Sequence, residues 1–224
     1  MILKKVVSGV AEFRGRPFEE RQALFAELAN GQSPEVLFVT CADSRIDPCL
    51  ITQTEPGDLF ICRNAGNVVP PHSHLAGGET ASVEYAVAVL GVQDIIVCGH
   101  TDCGAVKGAM NPRAVADLPQ VSSWLEHIRA AVEIVDENPK LAGDDRLLGV
   151  IEQNVLLQLQ HLRTHPAVAA RVESGAISLH GWVYHIETGA VTTYDETAGC
   201  FVPMEQRYAD VLEPADSMAS VSGG

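Results

Sequence analysis

Two short stretches of this 224-residue chain carry side chains whose types and spacing suit metal chemistry. Cys41-Ala42-Asp43-Ser44-Arg45 offers a thiol, and its Asp43 and Arg45 stand two apart, close enough to pair. Gly99-His100-Thr101-Asp102-Cys103-Gly104 offers an imidazole and a second thiol separated by two residues, a spacing that lets both converge on one ion. Gly99 and Gly104 allow a tight turn there. Each stretch alone has a plain structural reading: a buried cysteine before a turn with a surface ion pair, or a strand-to-helix turn with a capping His and a buried Cys. Together they supply two thiolates and one imidazole, and Cys₂His with an open fourth position is a catalytic zinc arrangement. Cys98, within an apolar run, and Cys49, after Pro48 at a helix start, read as structural.

Zinc is a Lewis acid that acidifies bound water. Two thiolates donate more negative charge than imidazoles would, which weakens that acidification. A neighbouring group must then favour hydroxide and aim it. Asp43 can accept the hydroxide's hydrogen bond, and Arg45 can hold Asp43 ionised and fixed. An unpaired Asp43 would instead take the open position and shut the site.

Elements must bring these residues together. Val36-Leu37-Phe38-Val39, Asp58 to Cys62 and Ile95 to Cys98 are short continuous apolar runs, which predict strands buried on both faces of a parallel sheet. Both chemical stretches follow such runs directly, at the strand ends where α/β sheets place their sites. Thr80 to Leu90 predicts a helix closed by Gly91. Val121, Trp124, Leu125, Ile128, Val132 and Val135 mark another helix. A longer one carries Leu147, Leu148, Ile151, Val155, Leu159 and Leu162. Ile177 to His185 alternates as a strand, and Thr188-Gly189 turns it into a second, Val191 to Tyr194. Leu3, Val6, Val7, Val10 and Phe13 recur at helical spacing, and a second helix runs from Pro17 to Asn30-Gly31. The expected fold is α/β: a central, mostly parallel sheet of four strands plus an antiparallel edge strand, flanked by helices. Residues 1–224 read as one domain, with an N-terminal helical arm over 1–31 and a polar, fraying tail over 204–224.

Composition narrows the class. Apolar residues make up 46% and charged residues 20%, as in ordinary globular chains. The formal charge of -14 repels phosphate backbones and argues against nucleic acid as a partner. No apolar run is long enough to span a bilayer, and Met1-Ile2-Leu3-Lys4-Lys5 lacks the apolar core of a signal peptide, so a soluble cytoplasmic protein is expected. In that setting six cysteines do not form a disulfide framework.

The pattern Cys-x-Asp-x-Arg followed much later by His-x-x-Cys resembles the β-class carbonic anhydrases. The resemblance extends through Leu179-His180-Gly181-Trp182-Val183-Tyr184 and is nearest the plant-like branch and its bacterial relatives, including cyanate-associated enzymes. It implies reversible hydration of carbon dioxide to bicarbonate, with one zinc ion per chain on Cys41, His100 and Cys103 and an Asp43–Arg45 catalytic dyad. It further implies that Gln32 and the Gly104 backbone N–H bind substrate oxygens. Phe60, Ala65 and Tyr85 would form an apolar wall, part of it donated by a partner subunit in a homodimer or higher even-numbered assembly. Ala65 stands where the family often has valine, so the wall is roomier.

One branch of the family binds regulatory bicarbonate with a Trp, an Arg and a Tyr. Arg63 and Tyr184 match two of these, but Phe38 stands at the Trp position and has no N–H to donate, so no such site is expected. His72 and His74, on an expected loop, are either solvated or a proton relay. Competing readings are a carbonyl sulfide or carbon disulfide hydrolase on the same scaffold and a non-catalytic zinc or thiol-sensing protein.

Overall fold

The structure is a computed structural model that describes residues 2–75, 77–142 and 145–212. The arm holds three helices, α1 (Ile2–Phe13), α2 (Arg16–Glu20) and α3 (Gln22–Leu28). The single helix expected from Pro17 onward breaks at Arg21, whose φ of -113° and ψ of 15° are not helical. Phe13, Phe18 and Phe25 pack ring on ring to hold the three together. No residue of α1 is buried, so Leu3, Val6, Val7 and Val10 present an uncovered apolar stripe.

After the arm come β1 (Val36–Cys41), α4 (Pro48–Thr52), β2 (Leu59–Asn64), α5 (Gly78–Glu84) and β3 (Asp94–His100). Asp47 caps α4 by accepting the Leu50 N–H at 3.2 Å, with Pro48 at the first helical position. From Tyr85 to Leu90, α5 widens into a π-helix before Gly91, at φ 74°, ends it. The next helices are α6 (Gly104–Met110), α7 (Pro119–Leu125), α8 (Arg129–Glu137), α9 (Pro139–Ala142), α10 (Arg146–Leu162) and α11 (Pro166–Glu173). The helix expected across Val121 to Val135 is α7 and α8, separated by a 3-10 turn at Glu126–Ile128.

β4 (Ser178–Tyr184), β5 (Val191–Asp195) and β6 (Cys200–Pro203) complete a sheet of order β2-β1-β3-β4-β5-β6. Four strands are parallel, as expected. The antiparallel part has two strands rather than one, because β6 pairs outside β5. The short helices α12 (Met204–Arg207) and α13 (Ala209–Leu212) replace the start of the expected polar tail; residues 213–224 lie outside the described ones. No described helix is long and apolar enough to cross a membrane.

One sheet face packs Leu37, Val39, Ile95, Val97 and Val183 against Val150, Ile151, Val155 and Leu162 of α10. The other carries Phe38, Ile96 and Cys98 with Trp182 and Tyr184. A side chain at Gly99 would stand 2.9 Å from Val155 and 3.2 Å from Ile151, so α10 lies directly on the end of β3. The chain runs from β1 out to β2 and returns to β3 on the other side. That reversal opens a crevice beyond the C-terminal ends of β1 and β3.

α10 also carries Glu152, whose carboxyl is pushed up from 4.5 to about 7 by burial. Such an acid holds its proton more tightly folded than unfolded. Its contribution to stability is fully present below the unfolded value and is lost as pH rises through about 7. Glu152→Gln is therefore expected to raise Tm at pH 8, with the gain shrinking towards pH 5. An equal gain at both values would show that the carboxyl's charge is not the cause.

Candidate metal centre

Cys41 ends β1, His100 ends β3, and Cys103 sits just before the first residue of α6. All three are buried, and their ligand atoms lie within 4.8 Å of one another, forming the one such cluster of metal-binding type among the described residues. His100 Nδ1 lies 2.8 Å from the Thr101 carbonyl oxygen. A carbonyl only accepts, so in the neutral ring Nδ1 carries the proton and Nε2 presents a lone pair. Nε2 is buried with no hydrogen-bond partner.

Cys41 is held as thiolate, its pKa lowered from 9.0 to about 4, chiefly because the Cys103 thiol donates to it; the Gly66 N–H, 3.4 Å from Sγ, adds to this. Cys103 is pushed up correspondingly, since losing its proton would leave two facing thiolates. An unpartnered imidazole lone pair beside one thiolate and a second sulfur is a donor set that could hold a metal cation. Two sulfurs and one nitrogen fit zinc, which binds thiolate and imidazole together. Cys62 and Cys98 stay outside the cluster, and burial pushes their thiols up to about 11 and about 12. Cys49 and Cys200 stay outside it as well.

Asp43 stands at the rim, its Oδ2 3.9 Å from His100 Nε2. Arg45 grips it three times: Nε to Oδ1 at 2.9 Å, Nη2 to Oδ2 at 2.8 Å, and the backbone N–H to Oδ1 at 3.0 Å. These bonds hold the Asp43 carboxyl far below the usual carboxylate range. Arg45 Nη1 reaches Asp102 Oδ2 at 2.9 Å, and Asp102 in turn pairs with Lys107. Asp102 and Lys107 were not singled out from the sequence. Asp102 adopts φ 60°, uncommon for a side-chain-bearing residue, and only the fold shows that it faces Arg45. Arg63 of β2 donates to the Asp43 carbonyl at 2.8 Å and to the Cys41 carbonyl at 3.1 Å, fixing the backbone between ligand and carboxylate.

The loop after β2 supplies the floor. Gly66 takes φ 85°, and a side chain there would lie 2.8 Å from Ile128 and 3.0 Å from Ala105. Ala65 is exposed, and its carbonyl accepts the Trp124 indole N–H at 2.9 Å.

The expected site residues divide between the two ends of the sheet. Cys41, Asp43, Arg45, Ala65, His100, Cys103 and Gly104 gather at the C-terminal ends of the parallel strands. Gln32 precedes β1 and is exposed. Phe60 pairs with Leu37 near the start of β1, and its ring lies 6.0 Å from that of Tyr85, which is 44% exposed. β1 rises about 3.3 Å per residue, so its length separates Gln32 from Cys41 of the same chain. Leu28 beside Gly57, and Arg21 paired with Glu55, tie the arm to that far end. The chain does not bring Gln32, Phe60 and Tyr85 to its own sulfur cluster.

Phe38 is fully buried with its ring edge-on to Trp182. His72 and His74 are exposed on a loop, and the His72 ring lies 5.7 Å from that of buried His165.

Residues 36–191 match the sequence model of a family described as "Carbonic anhydrase". A carbonic anhydrase of Synechocystis sp. is 43% identical over 219 residues, 97% of this chain and 80% of the relative. Among solved structures, that of the β-carbonic anhydrase CcaA superposes with a TM-score of 0.86 at 44% identity, covering 90% of this chain and 91% of the other. One of two tetrameric β-carbonic anhydrases of Sordaria macrospora superposes with a TM-score of 0.76 at 28% identity, covering 90% and 98%.

Proposed function

This chain belongs to the β-carbonic anhydrase family, and from that premise we propose that it hydrates carbon dioxide reversibly with one zinc ion held by Cys41, His100 and Cys103. The observation that carries the reading is the buried, unpartnered His100 Nε2 facing two sulfurs, with an anchored carboxylate 3.9 Å away at the rim. Bound zinc would supply a Lewis acid that makes hydroxide available near neutral pH. The rest falls to the chain's own groups. Asp43 accepts a hydrogen bond from the attacking oxygen and turns its lone pair towards carbon. Arg45 keeps that carboxylate ionised and pointed. The N–H of Gly104, the first residue of α6, has no helical partner and donates to a substrate oxygen. Phe38 offers no N–H where a regulatory anion would need one, so no regulatory bicarbonate site is proposed. Stopped-flow carbon dioxide hydration tests the reading. Activity should disappear on metal removal and return with Zn²⁺; a zinc-loaded chain with no activity above buffer would sink it.

Gln32, Phe60 and Tyr85 can serve only a neighbour's cluster, so the working unit is a homodimer or a larger even assembly of such pairs. α1, with its uncovered apolar stripe, has surface to spare for such contact. Coexpression of a Cys41→Ala chain with a Gln32→Ala/Tyr85→Ala chain tests this. Mixed pairs would contain one site with sound ligands and a sound wall, so activity should exceed the sum of the two variants made separately. Activity no greater than that sum would place these residues outside the site. A cytoplasmic location is proposed, where reducing conditions would keep free thiols such as those of the cluster from pairing.

A further inference from the structure

α10 buries two amides on the face it turns to the core. Asn154 and Gln158 are 1% and 0% exposed, in line with apolar Ile151, Val155 and Leu162. Buried amides are costly unless every polar atom finds a partner, so what they hold is informative. Asn154 Nδ2 donates to the Gly66 carbonyl at 3.0 Å. Asn154 Oδ1 accepts from Gln158 Nε2 at 2.8 Å, and Gln158 Oε1 accepts the Val69 N–H at 2.9 Å. Gln158 Nε2 also donates to the His127 carbonyl at 3.3 Å, and its Oε1 lies 3.1 Å from His161 Nδ1, so each amide holds one point of the 66–69 segment and Gln158 ties other elements as well. The segment's other side is clamped by Asn64, which accepts the Val68 N–H at 2.7 Å and donates to the Val68 carbonyl at 2.8 Å.

The segment reaches the metal centre at one point. The N–H of Gly66 meets Cys41 Sγ at 3.4 Å, while the Gly66 carbonyl is held by Asn154. Gly66 at φ 85° and Asn67 at φ 49° are both in the left-handed region, which Gly and Asn adopt at least cost, so the turn's shape is local while its placement against Cys41 is set by its outside bonds. We propose that Asn154 is a positioning residue for the metal centre: by fixing Gly66 it aims a backbone N–H at the Cys41 sulfur, while Gln158 holds Val69, farther along the segment, and does not touch Gly66. An N–H on a ligating thiolate draws off part of its charge and fixes its direction, so the sulfur meets the ion ready placed. Polar groups one bond behind a ligand commonly set metal affinity in this way.

The inference rests on the reading of Cys41, His100 and Cys103 as zinc ligands, and the test separates the two. Zn²⁺ affinity is measured by competition with a chelator on purified native protein, Asn154→Leu and Gln158→Met, beside the Tm of each metal-free protein. Each variant removes one buried amide from the same helix, so a purely structural role predicts matched losses. Asn154→Leu is expected to weaken Zn²⁺ binding by about 10- to 100-fold. It should also alter the sulfur-to-metal charge-transfer band of the Co²⁺-substituted protein. Gln158→Met should lower Tm comparably while leaving affinity and band close to native. If Asn154→Leu does not fold, Asn154→Ser, which leaves room for a water, is read in the same way. Native affinity and an unchanged band in the Asn154 variant overturn the proposal, as does equal weakening by Gln158→Met. Failure of the native protein to bind Zn²⁺ would instead overturn the ligand assignment.

Discussion

Asp43→Asn is expected to lower carbon dioxide hydration by on the order of 100-fold or more while leaving zinc content unchanged, since misplacing a reacting group by about 1 Å already costs that much. An amide has one accepting atom where the carboxylate has two, and it can turn its NH₂ towards the oxygen it should accept from. Arg45 could then no longer grip both atoms, as it does now at 2.9 and 2.8 Å. Arg45→Ala should give a similar loss by another route. The freed carboxylate stays ionised, begins 3.9 Å from His100 Nε2, and can swing into the fourth position of the metal. Stopped-flow turnover normalised to zinc content measures both. Two variants with near-native turnover would refute the dyad and revive a purely structural zinc site.

Cys103→Ala should take activity to the uncatalysed rate, because it should take the metal with it. On the proposed assignment, Cys41 and His100 alone would leave an ion with only two protein ligands, open to exchange. Zinc per chain after dialysis, read by elemental analysis, is expected to fall to background. Cys98→Ala and Cys62→Ala provide the contrast, since those thiols are held protonated away from the cluster and their loss should leave zinc in place. A Cys103→Ala protein that retains stoichiometric zinc would show that the ion sits elsewhere.

The Cys–His–Cys cluster was legible because Cys41 and the His100–Cys103 pair each follow an apolar run, and strand ends in parallel sheets converge. The order β2-β1-β3 then places Cys41 beside His100. What periodicity missed has local causes. β6 is four residues long and ends in Pro203, too short for alternation to register. Its turn was written in Asp195, whose side chain accepts the N–H groups of Thr197 and Ala198 before Gly199 at φ 67°. The long helix after Leu118 keeps its apolar spacing through Leu125 and Ile128, so the 3-10 turn between them leaves no trace in the pattern. Asn154 and Gln158 did leave one: polar residues three and seven places after Ile151 on the apolar face of α10. The split of the wall residues was also readable, since Gln32 precedes its strand whereas Cys41 ends it. Resemblance alone groups them in one site, and the register of β1 with β2 separates them.

The ion pairs around Arg45 also bear on the traffic of product. Bicarbonate is an anion, and the chain carries a formal charge of -14. A net charge of that sign repels anions at long range. Around the cluster, however, Arg45, Arg63 and Lys107 stand among Asp43, Asp102 and Glu187, three cations against three anions. Those six groups therefore add no net charge at the rim of a chain that is acidic as a whole. In the proposed reaction, bicarbonate would pass a rim to which these six groups add no net charge, and uncharged carbon dioxide would arrive without regard to them.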